Sequence, residues 1–482
     1  MTDVRDVRDV EGGTVLTGGA GTTDLTALTG GTVVELDPPR VSRCEVILRG
    51  DRIADVLPAG SEPPEGALRV DARGCVVTPA FVVGHTHLYS ALACGMPPPA
   101  AAPRTFRQIL ERVWWRLDRA LDDELVELSA LAGAMEAARR GAACVIDHHA
   151  SPNAIDGSLD RVADALDRVG VRGALCYETS DRDGRTARDA GLRENERFIA
   201  RTRARESRGA SAATPHRGLV GAHAPFTLED DTLDALRDLA DRTGAGLHVH
   251  VAEDGTDGAD ALARRTTLRA RVTRLGLMRP RSVVGHAVHL DAETRAALAD
   301  AGAWIATNAR SNMNNAVGLA PASGPRVALG TDGIGADMIA EAQAHFFRHA
   351  EAGDGLAGDA LARLVGAQRL AAELFDAREP GAREPDARGG SPSPGLAPRI
   401  QPGARADLAI LAYDPPTPMT AENVAGHVLF GWSSACVRDT VSGGRFILRD
   451  RVIQGVDEHR VAAAARVAAA RLWDRMASIA HP

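Results

Sequence analysis

The chain contains no lysine, because arginine supplies all 56 of its basic residues. Mechanisms that use a lysine Schiff base, or a carboxylated lysine as a bridge between two metal ions, are therefore excluded. The six cysteines are widely scattered without a CxxC pair, which is typical of reduced thiols in the cytosol. No run approaches the roughly 18 to 20 apolar residues that span a bilayer. The first residues, MTDVRDVRDVEGG, lack the apolar core of a secretory signal, so we expect a cytoplasmic protein.

The length and the net charge of the chain indicate what kind of protein it is and what it binds. A chain of 482 residues is long enough for a large barrel and a smaller unit. The hydrophobic fraction of 44% and charged fraction of 25% are those of a globular protein. The net charge of -8 gives no electrostatic reason to bind nucleic acid or an anionic membrane. We therefore expect a small-molecule substrate.

The hydrophobic pattern divides the chain into segments. Residues 79–375 alternate short apolar strands, such as FVVGH, with helical stretches such as LVELSALAGAMEAARR. Eight strand candidates joined by helices predict an α/β fold, a (β/α)₈ TIM barrel. The strand-rich flanks, 27–78 and 401–456, predict a small β-sandwich domain built from both chain ends. The remaining segments are predicted to be a poorly ordered N-terminal extension (1–26), a mobile Pro/Gly/Arg-rich insertion (376–400) and a C-terminal helix (457–482).

Histidines lie at the ends of two predicted strands. In GHTHLY, His85 and His87 are two residues apart, so both imidazoles point to one face of the strand and can share a cation. In GLHVHVAED, His248 and His250 share a face. Glu253 follows just beyond that strand, where it can act as a general base without being a metal ligand. Each motif alone is also compatible with purely structural histidines.

Two further predicted strands also end in polar residues. His286 ends SVVGH, and Asp332 follows VALGT. An aspartate after a strand is often only a helix cap. The carboxyl ends of barrel strands, however, meet at one active-site rim. Four strand ends that supply histidine, glutamate and aspartate in this order therefore predict a metal-dependent active site.

The order of these motifs, with strand-rich flanks around a barrel, resembles the mononuclear aminohydrolase branch of the amidohydrolase superfamily. That branch includes guanine, cytosine, adenosine-type and S-adenosylhomocysteine deaminases and the triazine chlorohydrolases. The similarity is greatest to SsnA-type aminohydrolases and runs from about residue 30 to residue 455, interrupted at 376–400. The segments that carry it are WWRLDRALD, CVIDHHASPNAIDGSLD, CYETSDRDG, HVHVAED, SNMNNAVGLAP and YDPPTPMTAENVAGHVLFG.

The resemblance implies roles for individual residues. It implies one divalent metal ion, with Zn²⁺ first and Fe²⁺ or Mn²⁺ as alternatives, bound by His85, His87, His250 and Asp332. It implies that the catalytic residues are Glu253, His286 and Asp332, and that His223 in GAHAPFTL contacts the substrate. It also implies a homo-oligomer, because family members are commonly dimers or larger. The absence of lysine agrees with a single metal ion, since superfamily members with two usually bridge them by a carboxylated lysine.

Other features leave alternatives open. The segment DHHASP contains Asp147, His148 and His149, which can contact the substrate, bind a second metal ion or form a buried hydrogen-bonded cluster. The helical spacing of Trp114 and Trp115 with neighbouring leucines favours core packing over a place at the substrate mouth.

Three departures from the family pattern concern substrate preference more than metal binding. The segment IATNARSNMNN lacks a rim histidine that is common in the family, and the segment 321–327 is shorter than usual. Gly84 stands where a polar residue often precedes the HxH motif.

The resulting hypothesis is hydrolysis by a metal-activated water. The metal ion lowers the pKa of water from about 16 towards about 7. Asp332 and His286 orient and deprotonate this water, and Glu253 carries a proton to the substrate. Loss of ammonia from a cyclic amidine or a related small molecule makes the enzyme a deaminase. The alternatives are a chlorohydrolase or another C–N hydrolase with a different leaving group, and a catalytically silent barrel scaffold.

Overall fold

The structure is a computed structural model that describes residues 25–207, 215–320, 324–375 and 399–479. Most of the predicted N-terminal extension, most of the insertion at 376–400 and part of the shortened segment 321–327 lie outside the described residues. Within the described ranges, no helix is long and apolar enough to cross a membrane. The cytoplasmic location, the homo-oligomer and the exact domain bounds stay predictions.

The described chain begins with a series of short strands. In order they are β1 (Leu25–Thr29), β2 (Thr32–Leu36), β3 (Pro39–Arg49), β4 (Arg52–Pro58), β5 (Leu68–Asp71) and β6 (Cys75–Pro79).

The next strands pair only in parallel with their neighbours. They are β7 (Phe81–Thr86), β8 (Ala142–His149), β9 (Arg172–Tyr177), β10 (Arg217–Gly218), β11 (Val220–Ala222), β12 (Leu247–Val251), β13 (Val283–His286), β14 (Trp304–Thr307) and β15 (Val327–Leu329). One sheet has the order β10-β9-β8-β7 and the other the order β11-β12-β13-β14-β15. Parallel bridges join the two sheets at both edges, between Thr86 and Asp332 and between Thr179 and Ala222. The predicted parallel βα organisation is thus present, and the complete eight-stranded barrel stays a prediction.

The last strands return to the first sheet. They are β16 (Leu408–Ala412), β17 (Val437–Ser442), β18 (Arg445–Arg449) and β19 (Val452–Ile453). Strand β16 pairs antiparallel with β6, from Leu408 opposite Pro79 to Ala412 opposite Cys75. Strands from both flanks of the parallel region therefore share one sheet.

Helices connect the parallel strands and cover their outer faces. The α-helices are α1 (Phe106–Ile109), α2 (Trp115–Ala120), α3 (Asp123–Arg139), α4 (Ser158–Val169), α5 (Gly184–Ser207), α6 (Asp230–Thr243), α7 (Thr256–Ala263), α8 (Leu268–Leu275), α9 (Ala292–Asp300), α10 (Ala309–Asn314), α11 (Met338–Ala352), α12 (Ala357–Phe375), α13 (Val424–Phe430) and α14 (Glu458–Ser478). A π-helical segment, Leu110–Trp114, joins α1 to α2.

The parallel strands are buried on both faces, which explains their nearly continuous apolar sequences. Every residue of β7 and β8 is buried, including the histidines at their carboxyl ends. Buried polar side chains need partners, because leaving one unpaired costs free energy. The fold therefore concentrates its polar residues where several strand ends can satisfy one another.

A buried ion pair ties the parallel region to the sheet formed by the flanks. Arg172, the first residue of β9, donates a hydrogen bond from Nη2 to Oδ2 of Asp407, which directly precedes β16. The Arg172 side chain is 2% exposed and that of Asp407 is 12% exposed. The second oxygen of Asp407 accepts a hydrogen bond from the backbone N–H of Gly443 at 2.7 Å. The pair thus links elements that are distant in the sequence.

We predict that Arg172→Met lowers the free energy of unfolding by about 3 kcal/mol, because it leaves a buried carboxylate without its main partner. A matched control is Arg269→Met, which removes an exposed pair with Glu293 and should cost less than about 1 kcal/mol. Urea unfolding followed by circular dichroism measures both variants. Equal losses would contradict a special role for the buried pair.

Candidate metal centre and active site

The residues predicted to form the site all lie at the carboxyl ends of the parallel strands. His85 is the last residue but one of β7, and His87 follows directly after that strand. His250 lies near the end of β12, and His286 ends β13. His223 directly follows β11, and Glu253 and Asp332 lie shortly after β12 and β15. The structure therefore brings together every site residue that the sequence predicts.

Four of these side chains converge most closely. The Nε2 atom of His250 lies 3.2 Å from the Nε2 atoms of both His85 and His87. The Oδ1 atom of Asp332 lies 2.8 Å from His87 Nε2 and 3.6 Å from His85 Nε2. A tetrahedron of ligands around a zinc ion at 2.0–2.1 Å has edges of about 3.4 Å. Four of the six separations among these atoms, 3.2, 3.2, 2.8 and 3.6 Å, are therefore close to the edge of such a tetrahedron.

The contacts of these histidines direct ring nitrogens at one point. His87 donates a hydrogen bond from Nδ1 to the backbone carbonyl of His148 at 2.6 Å, so its Nε2 atom faces Asp332 and His250. Burial opposes protonation of this ring, but the hydrogen bond to Asp332 raises the pKa of His87 to about 9, so the ring is protonated at pH 7 in the absence of a cation. The Nδ1 atom of His85 lies 2.8 Å from His248 Nε2. Burial lowers the pKa of His85 to about 3, so this ring is neutral at pH 7. His250 Nε2 lies 3.2 Å from the Nε2 atoms of both His85 and His87, and a divalent cation bound among the three nitrogens takes the place of the proton on His87.

The same region offers a second set of possible ligands. Single ligand atoms of His85, His250, His286 and Asp332 all lie within 4.8 Å of one another. His286 is the more distant member, because its Nε2 atom is 3.9 Å from Asp332 Oδ2. It is also 3.5 Å from Glu253 Oε2. This His/Asp cluster can hold a divalent metal ion, with His286 at its edge beside a carboxylate that is not part of the cluster.

The DHHASP segment forms a buried hydrogen-bonded cluster that supports the metal centre. Asp147 accepts a hydrogen bond at Oδ1 from the backbone N–H of Leu88 at 2.6 Å, one residue beyond His87. The His148 ring donates from Nε2 to the carbonyl oxygen of Ala222 at 3.0 Å. His149 Nε2 lies 2.9 Å from the hydroxyl of Ser151. For Asp147 and His149 the contacts favour this alternative, whereas His148 also forms with His87 and His250 a group of ligand atoms within 4.8 Å of one another that could hold a metal ion.

Glu253 and His286 are held as a pair by asparagines of the SNMNN segment. Asn315 donates to Glu253 Oε1 at 3.1 Å. His286 donates from Nδ1 to Asn312 Oδ1 at 2.9 Å, so its Nε2 lone pair faces the Glu253 carboxylate. Burial raises the pKa of Glu253 to about 7, which makes it able to give and to take a proton near neutral pH.

Backbone strain is concentrated at this rim. Ala252, His286, Ala287 and Asp332 have φ angles of 53°, 70°, 53° and 52°, in the left-handed region that residues with a Cβ atom rarely adopt. Such conformations cost about 1–3 kcal/mol each and persist where the surrounding structure imposes them. The hydrogen bond from the Ala252 N–H to Asp257 at 2.6 Å is one such constraint.

A cavity opens beside the cluster. One wall contains His87, His250, Glu253 and Asp332. The other wall contains residues that the sequence did not assign to the site, among them Tyr89, Phe106, Leu110, Trp114, Trp115, Asp118 and Glu178. Glu178 directly follows β9, so the strand-end rule that identified the histidines would also have found it.

His223 and the tryptophans belong to this second wall. His223 donates from Nδ1 to the hydroxyl of Thr227 at 3.0 Å, and its Nε2 atom lies 4.0 Å from Glu178 Oε1. Trp115 packs with Phe106 in a small apolar cluster and also lines the cavity. Trp115 therefore both packs in an apolar cluster and lines the cavity, so the two interpretations of the tryptophan motif are compatible.

Residues 76–365 match the family model described as "Amidohydrolase family". The chain belongs to the amidohydrolase family. A 5-methylthioadenosine/S-adenosylhomocysteine deaminase of Pelotomaculum thermopropionicum is 28% identical over 451 residues, which cover 89% of this chain and 94% of that protein. A 5'-deoxyadenosine deaminase of Methanothermobacter thermautotrophicus is 27% identical over 449 residues, covering 91% and 96%. The prediction of a hydrolase that acts on carbon–nitrogen bonds is confirmed by these relatives.

Solved structures share the fold. An adenosine deaminase from Xanthomonas campestris with bound zinc has a TM-score of 0.75 and 21% identity, covering 94% of this chain and 99% of that one. The zinc complex of the atrazine chlorohydrolase TrzN from Arthrobacter aurescens has a TM-score of 0.72 and 18% identity, covering 92% and 100%. These likenesses show a shared fold, and the chain's own His/Asp cluster can hold a divalent metal ion.

We predict that His250→Ala and Asp332→Ala each abolish stoichiometric metal binding, because each removes one of the four converging atoms. Metal content is measured by plasma mass spectrometry after purification in zinc-containing buffer. His345→Ala is a matched control, since His345 is another buried histidine on α11 away from these ligands. Full metal retention in both test variants would contradict the assignment.

We predict that Asp147→Ala weakens zinc binding by about 10- to 100-fold without abolishing it, because it removes the acceptor that fixes the backbone beside His87. Asp147→Asn keeps an oxygen at the same position and should lose less affinity. Competition with a chelating dye measures both. Equal zinc affinities for the alanine variant and the unmodified chain would show that this hydrogen bond does not support the metal centre.

Proposed function

We propose that the chain is a mononuclear zinc-dependent aminohydrolase, which replaces the amino group of a heterocyclic substrate by a hydroxyl or oxo group and releases ammonia. In this proposal the two parallel sheets close into one (β/α)₈ barrel, as the bridges at both edges suggest. The metal ligands are His85, His87, His250 and Asp332. When bound, the cation acidifies water and makes it nucleophilic at neutral pH.

The observation that carries the proposal is the position of Glu253 and His286 beside the metal cluster. The Glu253 carboxylate faces the cavity and His286 Nε2, but it is not one of the four converging atoms. Hydrolytic deamination needs such a group, because the leaving nitrogen must gain protons before it departs as ammonia. A site made only to bind metal has no need for a carboxylate with a pKa raised to about 7.

The side chains divide the proton transfers between them. The lone pair of His286 Nε2 and the Oδ2 atom of Asp332 accept the proton that the attacking water loses. Ser311 donates its hydroxyl proton to the same Asp332 oxygen and holds the carboxylate in place. Glu253 delivers its proton to the ring nitrogen, regains a proton from His286, whose Nε2 lies 3.5 Å from its Oε2, and passes this second proton to the departing amino group as the C–N bond breaks. The remaining proton of the attacking oxygen then returns through His286 to Glu253, which restores the starting state. One water is consumed and one ammonia is formed.

The substrate is proposed by class only. The relatives named above are deaminases of adenosine derivatives, which favours a purine nucleoside or another ring that bears an amino group beside a ring nitrogen. A chlorohydrolase would use the same water and the same acid, with chloride as the leaving group. The product therefore distinguishes the two activities.

We predict ammonia release from at least one amino-heterocycle in a panel of adenosine, 5'-deoxyadenosine, 5-methylthioadenosine, guanine, cytosine and aminopterins. Glu253→Gln should lower kcat by about 100-fold or more while the metal content stays unchanged, because it removes the proton donor and no ligand. Ammonia is measured by a coupled glutamate dehydrogenase assay.

The matched control is Asp254→Asn, which changes the neighbouring carboxylate, one that hydrogen-bonds the backbone of Thr256. This variant should keep its kcat within about threefold of the unmodified enzyme. Chloride release from a chlorotriazine without ammonia release from any amine would contradict the deaminase proposal, and so would a Glu253→Gln variant of full activity.

A further inference from the structure

Two sequence motifs that supply none of the four converging ligands meet at the second wall of the cavity. WWRLDRALD carries Trp115 and Asp118, and CYETSDRDG carries Glu178 and Arg182. Arg182 donates a hydrogen bond from Nη2 to Asp118 Oδ2 and lies with its guanidinium carbon 5.4 Å from the centre of the Trp115 ring. We call these four residues the arginine-linked wall.

The arginine-linked wall contains polar atoms without partners. Trp115 is 6% exposed and Asp118 is 1% exposed, and both line the cavity. Among the described residues, neither the indole N–H of Trp115 nor Oδ1 of Asp118 has a hydrogen-bond partner. Most buried polar atoms are satisfied, and the exceptions cost stability. A donor and an acceptor three residues apart at one cavity therefore indicate a ligand that supplies the missing partners.

The charges of this wall do not balance. The carboxylates of Asp118, Glu178 and Asp183 surround the guanidinium of Arg182, whose nitrogens lie 3.9 Å from Glu178 Oε1 and 3.3 Å from Asp183 Oδ2. Arg119 adds a second positive charge, 2.7 Å from Asp183. Three carboxylates thus share two guanidinium groups. Burial raises the pKa of Asp118 to about 6, which still leaves it ionised at pH 7.

Two histidines lie beside the same carboxylate. His223 Nε2 lies 4.0 Å from Glu178 Oε1. His148 Nδ1 lies 3.3 Å from Glu178 Oε2 and is the other imidazole at this carboxylate. Among the described residues that line the cavity there is no arginine; the guanidinium carbons of Arg107 and Arg182 lie 4.8 and 5.4 Å from the centre of the Trp115 ring.

We propose that Trp115, Asp118 and Glu178 form a specificity subsite for a planar nitrogen group with N–H donors and positive charge, of the amidine or guanidine type. The carboxylates accept its N–H groups and balance its charge. The indole N–H donates to an acceptor elsewhere on the same ligand. The statement that this ligand is the substrate rests on the proposed function. The statement that the subsite binds such a group is independent of the proposed function.

The test measures binding without turnover. The zinc-loaded Glu253→Gln variant serves as the background, and isothermal titration calorimetry measures its affinity for benzamidine and for benzamide. These probes are planar and of nearly equal size, but only benzamidine is positively charged. Benzamidine should bind about tenfold more tightly or better. Asp118→Asn and Glu178→Gln, each added to the background, should remove this preference and leave benzamide affinity within about twofold.

The matched control is Asp189→Asn, which removes a carboxylate on α5 paired with Arg188 and should leave both affinities unchanged. If Asp118→Asn does not fold, the Glu178→Gln variant and the two probes still decide. Equal affinities for the probes in the background, or a benzamidine preference that survives in the subsite variants that fold, would overturn the proposal. Ammonia release from the panel above tests the proposed function separately, so each can fail alone.

Discussion

Three imidazole nitrogens and one carboxylate oxygen lie close together in a buried space where hydrogen bonds among them cannot satisfy them all. Nδ1 of His87 donates to the carbonyl of His148, so only Nε2 is left to face Asp332 and His250. A bound cation can satisfy all four atoms at once. The surrounding contacts hold the imidazole rings, so that the rings do not rotate away from one another. The strained backbone at His286 and Asp332 and the hydrogen bonds to the asparagines serve the same end, because they hold side chains that would otherwise separate.

The cavity has two walls with different chemistry. The wall with His250 and Glu253 contains the groups that transfer protons in the proposed reaction, which requires an acid, a base and metal ligands there. The arginine-linked wall contains aromatic rings and carboxylates, and its composition is set by what the ligand must offer. The π-helical segment Leu110–Trp114 directly precedes Trp115 in the chain, and π-helical turns often occur at functional sites. It brings Leu110 and Trp114 to the same cavity as the residues of α1 and α2.

The sequence predicted which strand-end side chains lie together, because histidines two residues apart in a strand point to the same face. It also predicted the parallel βα units, since buried strands such as β8 read as continuous apolar runs. It did not predict Glu178 or the role of Asp118, whose positions depend on how loops fold back over the rim. The sequence also did not decide the role of the DHHASP segment, because a buried Asp-His-His sequence is compatible with metal ligands and with residues that support metal ligands. The contacts of Asp147 with Leu88 became visible only in three dimensions.

The pairing of β16 with β6 has a consequence for synthesis of the chain. The edge of β6 that accepts β16 stays without this partner until residues 408–412 have left the ribosome. At about 5–20 residues per second, the interval between the two strands lasts on the order of tens of seconds. During that time an exposed strand edge can pair with other chains. The whole parallel region between the two strands is therefore synthesised before its neighbouring sheet can be completed.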